Sequence, residues 1–144
     1  MSVTIETGAT DTDNATVLYQ NIFEEGTVTV SSETSDGAGL NTIEDTTFDF
    51  WTPSSVVANL HVDYGEDVTC DCIGIAAHTA GTEGTRVTVQ YSDNDADWTT
   101  IVAVEPLTDE TIMVIFPETE ARYWRVRQVD AVCSIGVIKL AMGS

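Results

Sequence analysis

Between Val87 and Arg127 two alternating strands flank a polar turn and lead to an aromatic-basic strand, and that rhythm restricts the chain to β structure. Val87, Val89 and Tyr91 point one way while Thr88, Gln90 and Ser92 point the other, as in a strand with one buried and one wet face. Ser92-Asp93-Asn94-Asp95-Ala96-Asp97 follows as a turn, because these side chains hydrogen-bond their own backbone. Ile112-Met113-Val114-Ile115-Phe116 is apolar at every position, so it is expected centrally in a sheet and covered on both sides. Pro117 cannot donate to a ladder and is expected to end that strand. Ala121-Arg122-Tyr123-Trp124-Arg125-Val126-Arg127 opens another, with Tyr123, Arg125 and Arg127 on one face.

Elsewhere short β-rich runs recur between Gly, Asp, Asn, Ser and Pro, and helical periodicity is nearly absent. Strands are expected over 16–20, 27–32, 57–64, 69–77, 86–92, 99–104, 111–116, 123–129 and 134–140. The fold class that follows is all-β, an antiparallel β-sandwich. Residues 1–15 are polar and acidic and form an N-terminal arm or edge strand. Residues 16–144 form one domain, large enough to bury a core. A long Ser-, Thr-, Gly- and Asp-rich loop at 31–49 is expected to serve function, since loops of that length are uncommon in compact domains.

The charge balance narrows the partners. Five basic residues stand against 24 acidic ones, a formal charge of −19. Such a surface repels phosphate backbones and anionic lipid, so neither nucleic acid nor a membrane is an expected partner. No apolar run approaches the ~20 residues of a membrane helix, and the first residues lack the basic and apolar regions of a secretory signal. Cys70, Cys72 and Cys133 are an odd number, which argues against a closed disulfide framework.

The ordered set Trp51, Leu60-His61-Val62-Asp63-Tyr64-Gly65, Ile73-Gly74-Ile75-Ala76, Tyr91-Ser92-Asp93, Trp98, Arg122-Tyr123-Trp124-Arg125 and Ile135-Gly136-Val137-Ile138 resembles the discoidin, or coagulation factor 5/8 type C, modules. The resemblance covers roughly residues 26–140. It implies a galactose-binding-like jelly roll of eight strands, whose loops at one end bind glycans, lipids or protein surfaces, without catalysis. It also implies core positions for Trp51, Trp98 and Trp124. Carbohydrate-binding members hold calcium in a loop resembling Asn-Ala-Ile-Asp-Gly-Asp; here the stretch is Asn41-Thr42-Ile43-Glu44-Asp45-Thr46. Glu44, Asp45 and Asp49 still offer the hard oxygen donors calcium takes, but the loop's glycine and second aspartate are gone. A solvated acidic loop without cofactor is the expectation. The disulfide that joins the ends of many members is also missing.

Other constellations are weaker. Cys70 and Cys72, two apart and expected to share a strand face, are spaced too closely for a structural zinc pair and read as buried thiols. His61 with Asp63 could suggest catalysis, but no nucleophile elbow accompanies them, so a structural histidine and no enzyme are expected. The expected contacts with a ligand or partner are Asp45, Asp49, Tyr123, Arg125 and Arg127.

Two functions follow. Unpaired cysteines and no export signal, in a module type that works outside cells, point to a virion structural protein of a bacteriophage. It would be a tail, baseplate or head-decoration component, made in the host cytoplasm. Its partners would be other virion proteins, itself as an oligomer, and a host-surface glycan. The alternative is a lectin-like carbohydrate-binding module of an extracellular adhesin or enzyme, binding through loops near 31–49 and 79–84.

Overall fold

The computed structural model describes residues 4–7, 21–33, 37–38, 42 and 50–141. Along the chain run β1 (Thr4–Thr7), a single helical turn α1 (Ile22–Glu25), β2 (Thr27–Val30), β3 (Ala58–His78), a second turn α2 (Ala80–Glu83), β4 (Arg86–Ser92), β5 (Thr99–Val104), β6 (Ile112–Val129) and β7 (Ile135–Ala141). The strand expected over 16–20 and most of the 31–49 loop, including Glu44, Asp45 and Asp49, lie outside the described residues.

Two long strands build the sandwich. β3 has 21 residues and β6 has 18, and each serves both layers. In the first layer Ala58–Asp63 of β3 pairs with Tyr123–Gln128 of β6, flanked by β2 and by β4 and β5. In the second layer the remainder of both strands pairs, with β1 beyond β6 and β7 beyond β3. All pairings are antiparallel, and the two layers enclose one core.

The period-two reading divided each long strand in two, because the alternation breaks at 65–68 and 117–122. Those breaks are bulges. Between the pairs Asp63–Tyr123 and Val68–Ala121, four residues of β3 face Arg122 alone. Gly65 sits there at φ +89°, where an L side chain would be strained. Between Cys70–Thr119 and Cys72–Ile115, three residues of β6 face Asp71 alone. Pro117 is the middle of those three, so it does not end the strand. Its missing N–H falls where the ladder is interrupted, and the surplus residues bend the sheet from one layer to the other.

The same bulge separates two cysteines that strict alternation puts on one face. Cys70 joins the core with Ile73 and Ile75, whereas Cys72 lies opposite Ile115 and Ala141, buried outside that cluster. All three cysteines are buried and none forms a disulfide. Burial pushes Cys70 far above the ordinary thiol value and Cys133 up to about 11. In Ile112–Phe116, Ile112, Val114 and Phe116 face the core; Met113 and Ile115 are only half-buried, so cover is complete on one side alone.

Trp51 and Trp124 are the largest fully buried side chains. Trp51 makes an isolated bridge with Ile135, and its Nε1 donates to the Ser32 carbonyl at 2.9 Å. Thr52 bonds Ser134 at 2.8 Å, and Ser134 N donates to Thr79 Oγ1 at 3.0 Å. These bonds gather the starts of the 31–49 and 79–84 connections at one end of the sandwich. Among the described residues no helix is long and apolar enough to cross a membrane.

Candidate functional site

With Leu60, Val62, Trp124, Val126, Val87 and Val89 turned into the core, alternation sends their neighbours to the outer face of the first layer. The register aligns those neighbours in three rows across β3, β6 and β4: Asn59–Arg127–Thr88, His61–Arg125–Gln90 and Asp63–Tyr123–Ser92. Cβ atoms of directly opposed residues stand about 4.5–5.5 Å apart, so each row is a set of touching side chains.

The β4–β5 turn completes the surface. Ser92 Oγ accepts from Asn94 N and Asp95 N, and Asn94 Oδ1 accepts from Ala96 N and Asp97 N, at 2.8–3.2 Å. This knot of short polar side chains, with Asp95 at φ +60°, returns the chain over the outer face. It lays Trp98 against Arg125, whose Cζ is 4.1 Å from the ring centroid. Arg125 Nε donates to Gln90 Oε1 at 2.6 Å, and Gln90 Nε2 donates to Thr100 Oγ1 at 2.9 Å. His61 Nε2 bonds Asp95 Oδ1 at 2.7 Å, and its ring meets Trp98 edge-on at 5.7 Å and Tyr123 at 6.2 Å. The result is a half-exposed ledge of aromatic and planar polar groups held by one another.

The ledge contains Tyr123, Arg125 and Arg127, three of the five contacts expected from the sequence. Asp45 and Asp49 lie outside the described residues. Trp98 does not join Trp51 and Trp124 in the core, because the turn carries it to the outer face. Asp95, Gln90 and His61 were not anticipated as members. The wet phase of β4 marks Gln90, but nothing local to the sequence shows that Asp95 reaches His61 across 34 residues.

Asp63 is not the partner of His61. Arg122 Nε and Nη2 donate to its two oxygens at 2.8 and 3.1 Å, and Gly65 N donates to Oδ1 at 2.8 Å. The bond from Arg122 and then that from Gly65 hold the carboxyl below the ordinary aspartate value of 3.8. A depressed carboxylate stabilises the fold above its unfolded pKa, and the contribution is lost as pH falls through the folded value. Arg122→Gln is therefore expected to move the Asp63 midpoint upward in a carbon-detected NMR titration and to shift acid unfolding to higher pH. An unchanged midpoint would show that Arg122 does not hold the carboxylate.

The charges divide unevenly. Arg86 Nε donates to Glu105 at 2.9 Å and lies 3.7 Å from Asp130, and Arg122 has Asp63. Among the described residues neither Arg125 nor Arg127 has a carboxylate at ion-pair distance. Burial first, then Arg127, lowers Arg125 from its ordinary value, with Asp95 pulling the other way. Asn59 Oδ1, His61 Nδ1 and Thr88 Oγ1 are buried without a hydrogen-bond partner. Among the described residues no group of three His, Cys, Asp or Glu side chains could hold a metal ion.

Solved structures share this architecture. CpGH89CBM32-5 from Clostridium perfringens, solved in complex with GalNAc-β-1,3-galactose, superposes with a TM-score of 0.70 at 12% identity, covering 83% of this chain and 96% of that one. The CBM32 of AlyQ, in complex with 4,5-unsaturated mannuronic acid, gives 0.68 at 19% identity, with 86% and 97% covered. A Ruminococcus gnavus GH29 fucosidase in complex with fucose gives 0.69 at 18% identity, covering 88% of this chain but 28% of the enzyme, so the likeness lies in one part of that protein. At these identities the likeness is one of fold. No curated protein matches the chain. The model of the F5/8 type C domain matches residues 27–138, from the start of β2 into β7, and the chain belongs to that family.

Proposed function

We propose that this protein is a non-catalytic glycan-binding module and that the ledge on the outer face of β3, β6 and β4 is its binding surface. The observation that carries the proposal is the meeting of half-exposed Trp98 and Tyr123 with His61, Gln90 and Arg125, each fixed by a neighbour. A sugar ring offers an apolar face of C–H groups and a rim of hydroxyls. Aromatic rings beside preorganised donors and acceptors match both, and fixing the side chains beforehand lowers the entropy lost on binding. The solved neighbours, two of them CBM32 modules with bound saccharides, support this reading over the virion component.

The three tryptophans provide the test. Trp51 and Trp124 donate their indole N–H to Ser32 and Ala121 carbonyls within the fold, whereas Trp98 lies on the ledge. The chain is titrated with neutral and acidic oligosaccharides and followed by indole N–H resonances. The Trp98 signal is expected to move with at least one saccharide while Trp51 and Trp124 stay still. If no saccharide moves Trp98, the proposal fails.

A further inference from the structure

We propose that Arg125 and Arg127 form an anion-binding fork on this ledge that takes the carboxylate of an acidic saccharide, a uronic-acid residue within an oligosaccharide. The inference rests on the glycan-binding reading and names its ligand class. In a chain with 24 acidic residues and five basic ones, an arginine finds a carboxylate easily. Arg86 has two in reach and Arg122 holds one through two bonds. Arg125 and Arg127 have none among the described residues, although they are like charges two residues apart on one strand face.

The geometry of Arg125 is that of a fork held ready. Its Nε is occupied by Gln90 and its Cζ lies over the Trp98 ring, while no protein atom among the described residues accepts from its two terminal nitrogens. Those two nitrogens offer the end-on pair of donors that can grip a carboxylate bidentately. Asp95, whose charge acts on Arg125, is bonded instead by His61. In the adjoining row Arg127 lies between Asn59 and Thr88, whose Oδ1 and Oγ1 have no partner. Trp98 and Tyr123 beside the fork supply the apolar contact a bare inorganic anion does not need. The net charge of −19 disfavours long phosphate polymers, whereas a short ligand with few carboxylates meets two arginines that have no carboxylate at ion-pair distance among the described residues.

The test compares an oligogalacturonate with its methyl ester, which keeps the sugar and removes the charge. Calorimetry on the full chain is expected to show the acid binding at least about tenfold more tightly than the ester, as charge-assisted bidentate bonds imply. Arg127→Gln, which breaks no bond seen in the fold, is expected to erase most of that preference and leave the thermal melt unchanged. Arg125→Lys, which keeps the charge but not the fork, is expected to weaken the acid selectively. Equal binding of acid and ester, or an Arg127→Gln chain that keeps the preference, would overturn the inference. So would sodium sulfate or acetate binding as tightly as the oligogalacturonate, since the site would then be one for simple anions. If the ester alone binds and moves Trp98, glycan binding stands and only the carboxylate fork falls; if neither moves Trp98, both fall.

Discussion

Trp124→Ala is expected to destabilise the protein by about 3–5 kcal/mol, a large share of what holds a domain of this size together. Trp124 is fully buried on the inner face of β6. Its ring lies 5.6 Å from Tyr91 in its own layer and 6.3 Å from Phe116, which β6 contributes from the other layer before it bends. Its Nε1 donates to the Ala121 carbonyl at 3.1 Å. Truncation would leave a void between two layers joined by the same continuous strands. Those strands are fixed on both sides by ladder bonds and cannot close in to fill it. The carbonyl of Ala121 would also lose its buried donor. Urea unfolding measures the loss directly, and a midpoint equal to that of the unaltered protein would place this side chain outside the core.

Asn21→Ala is expected to cost about 2–4 kcal/mol, although it deletes only an amide. Asn21 is buried and joins the entry of the domain to its last strand. Its Nδ2 donates to the Ile138 carbonyl at 2.9 Å, and its Oδ1 accepts from Phe23 N at 3.2 Å and Leu140 N at 3.3 Å. Alanine offers no substitute for any of these, and water has no easy access to the site. A helix of four residues cannot persist alone, so α1 depends on this cap to seat Ile22 and Phe23 in the core. Asn21→Asp keeps the acceptor but aims a carboxylate oxygen at the Ile138 carbonyl in a buried site, so its effect should be at least as large. Equilibrium unfolding of both variants, with hydrogen exchange at the Leu140 amide, checks the assignment. Full protection of that amide in Asn21→Ala would refute it.

β4 and β5 were legible to the residue, Arg86–Ser92 and Thr99–Val104, because uninterrupted alternation and a self-bonded turn are local properties. β3 and β6 were not, because a bulge shows in sequence only as lost rhythm, the same sign a loop gives. Pro117 and Gly65 are the two residues most misleading in this respect: each suggests a strand end and each lies within a strand. The candidate site divides in the same way. Tyr123, Arg125 and Arg127 could be placed on one face by counting in twos. Asp95, Trp98 and Gln90 joined them only through turn geometry and strand order.

Alternation of side chains by itself settled the class of structure, since an all-β pattern with one wet face has to bury the other against a second layer. The match over residues 27–138 agrees with that ordering of motifs. Tertiary structure alone decided that two strands pass through both layers, that His61 pairs with Asp95 while Asp63 goes to Arg122, and that two arginines stand beside each other with no carboxylate at ion-pair distance among the described residues. The physical reason is that a strand's periodicity tells which way each side chain points but not which strand lies next to it. Pairing, register and charge neighbours are contacts between residues far apart in the chain.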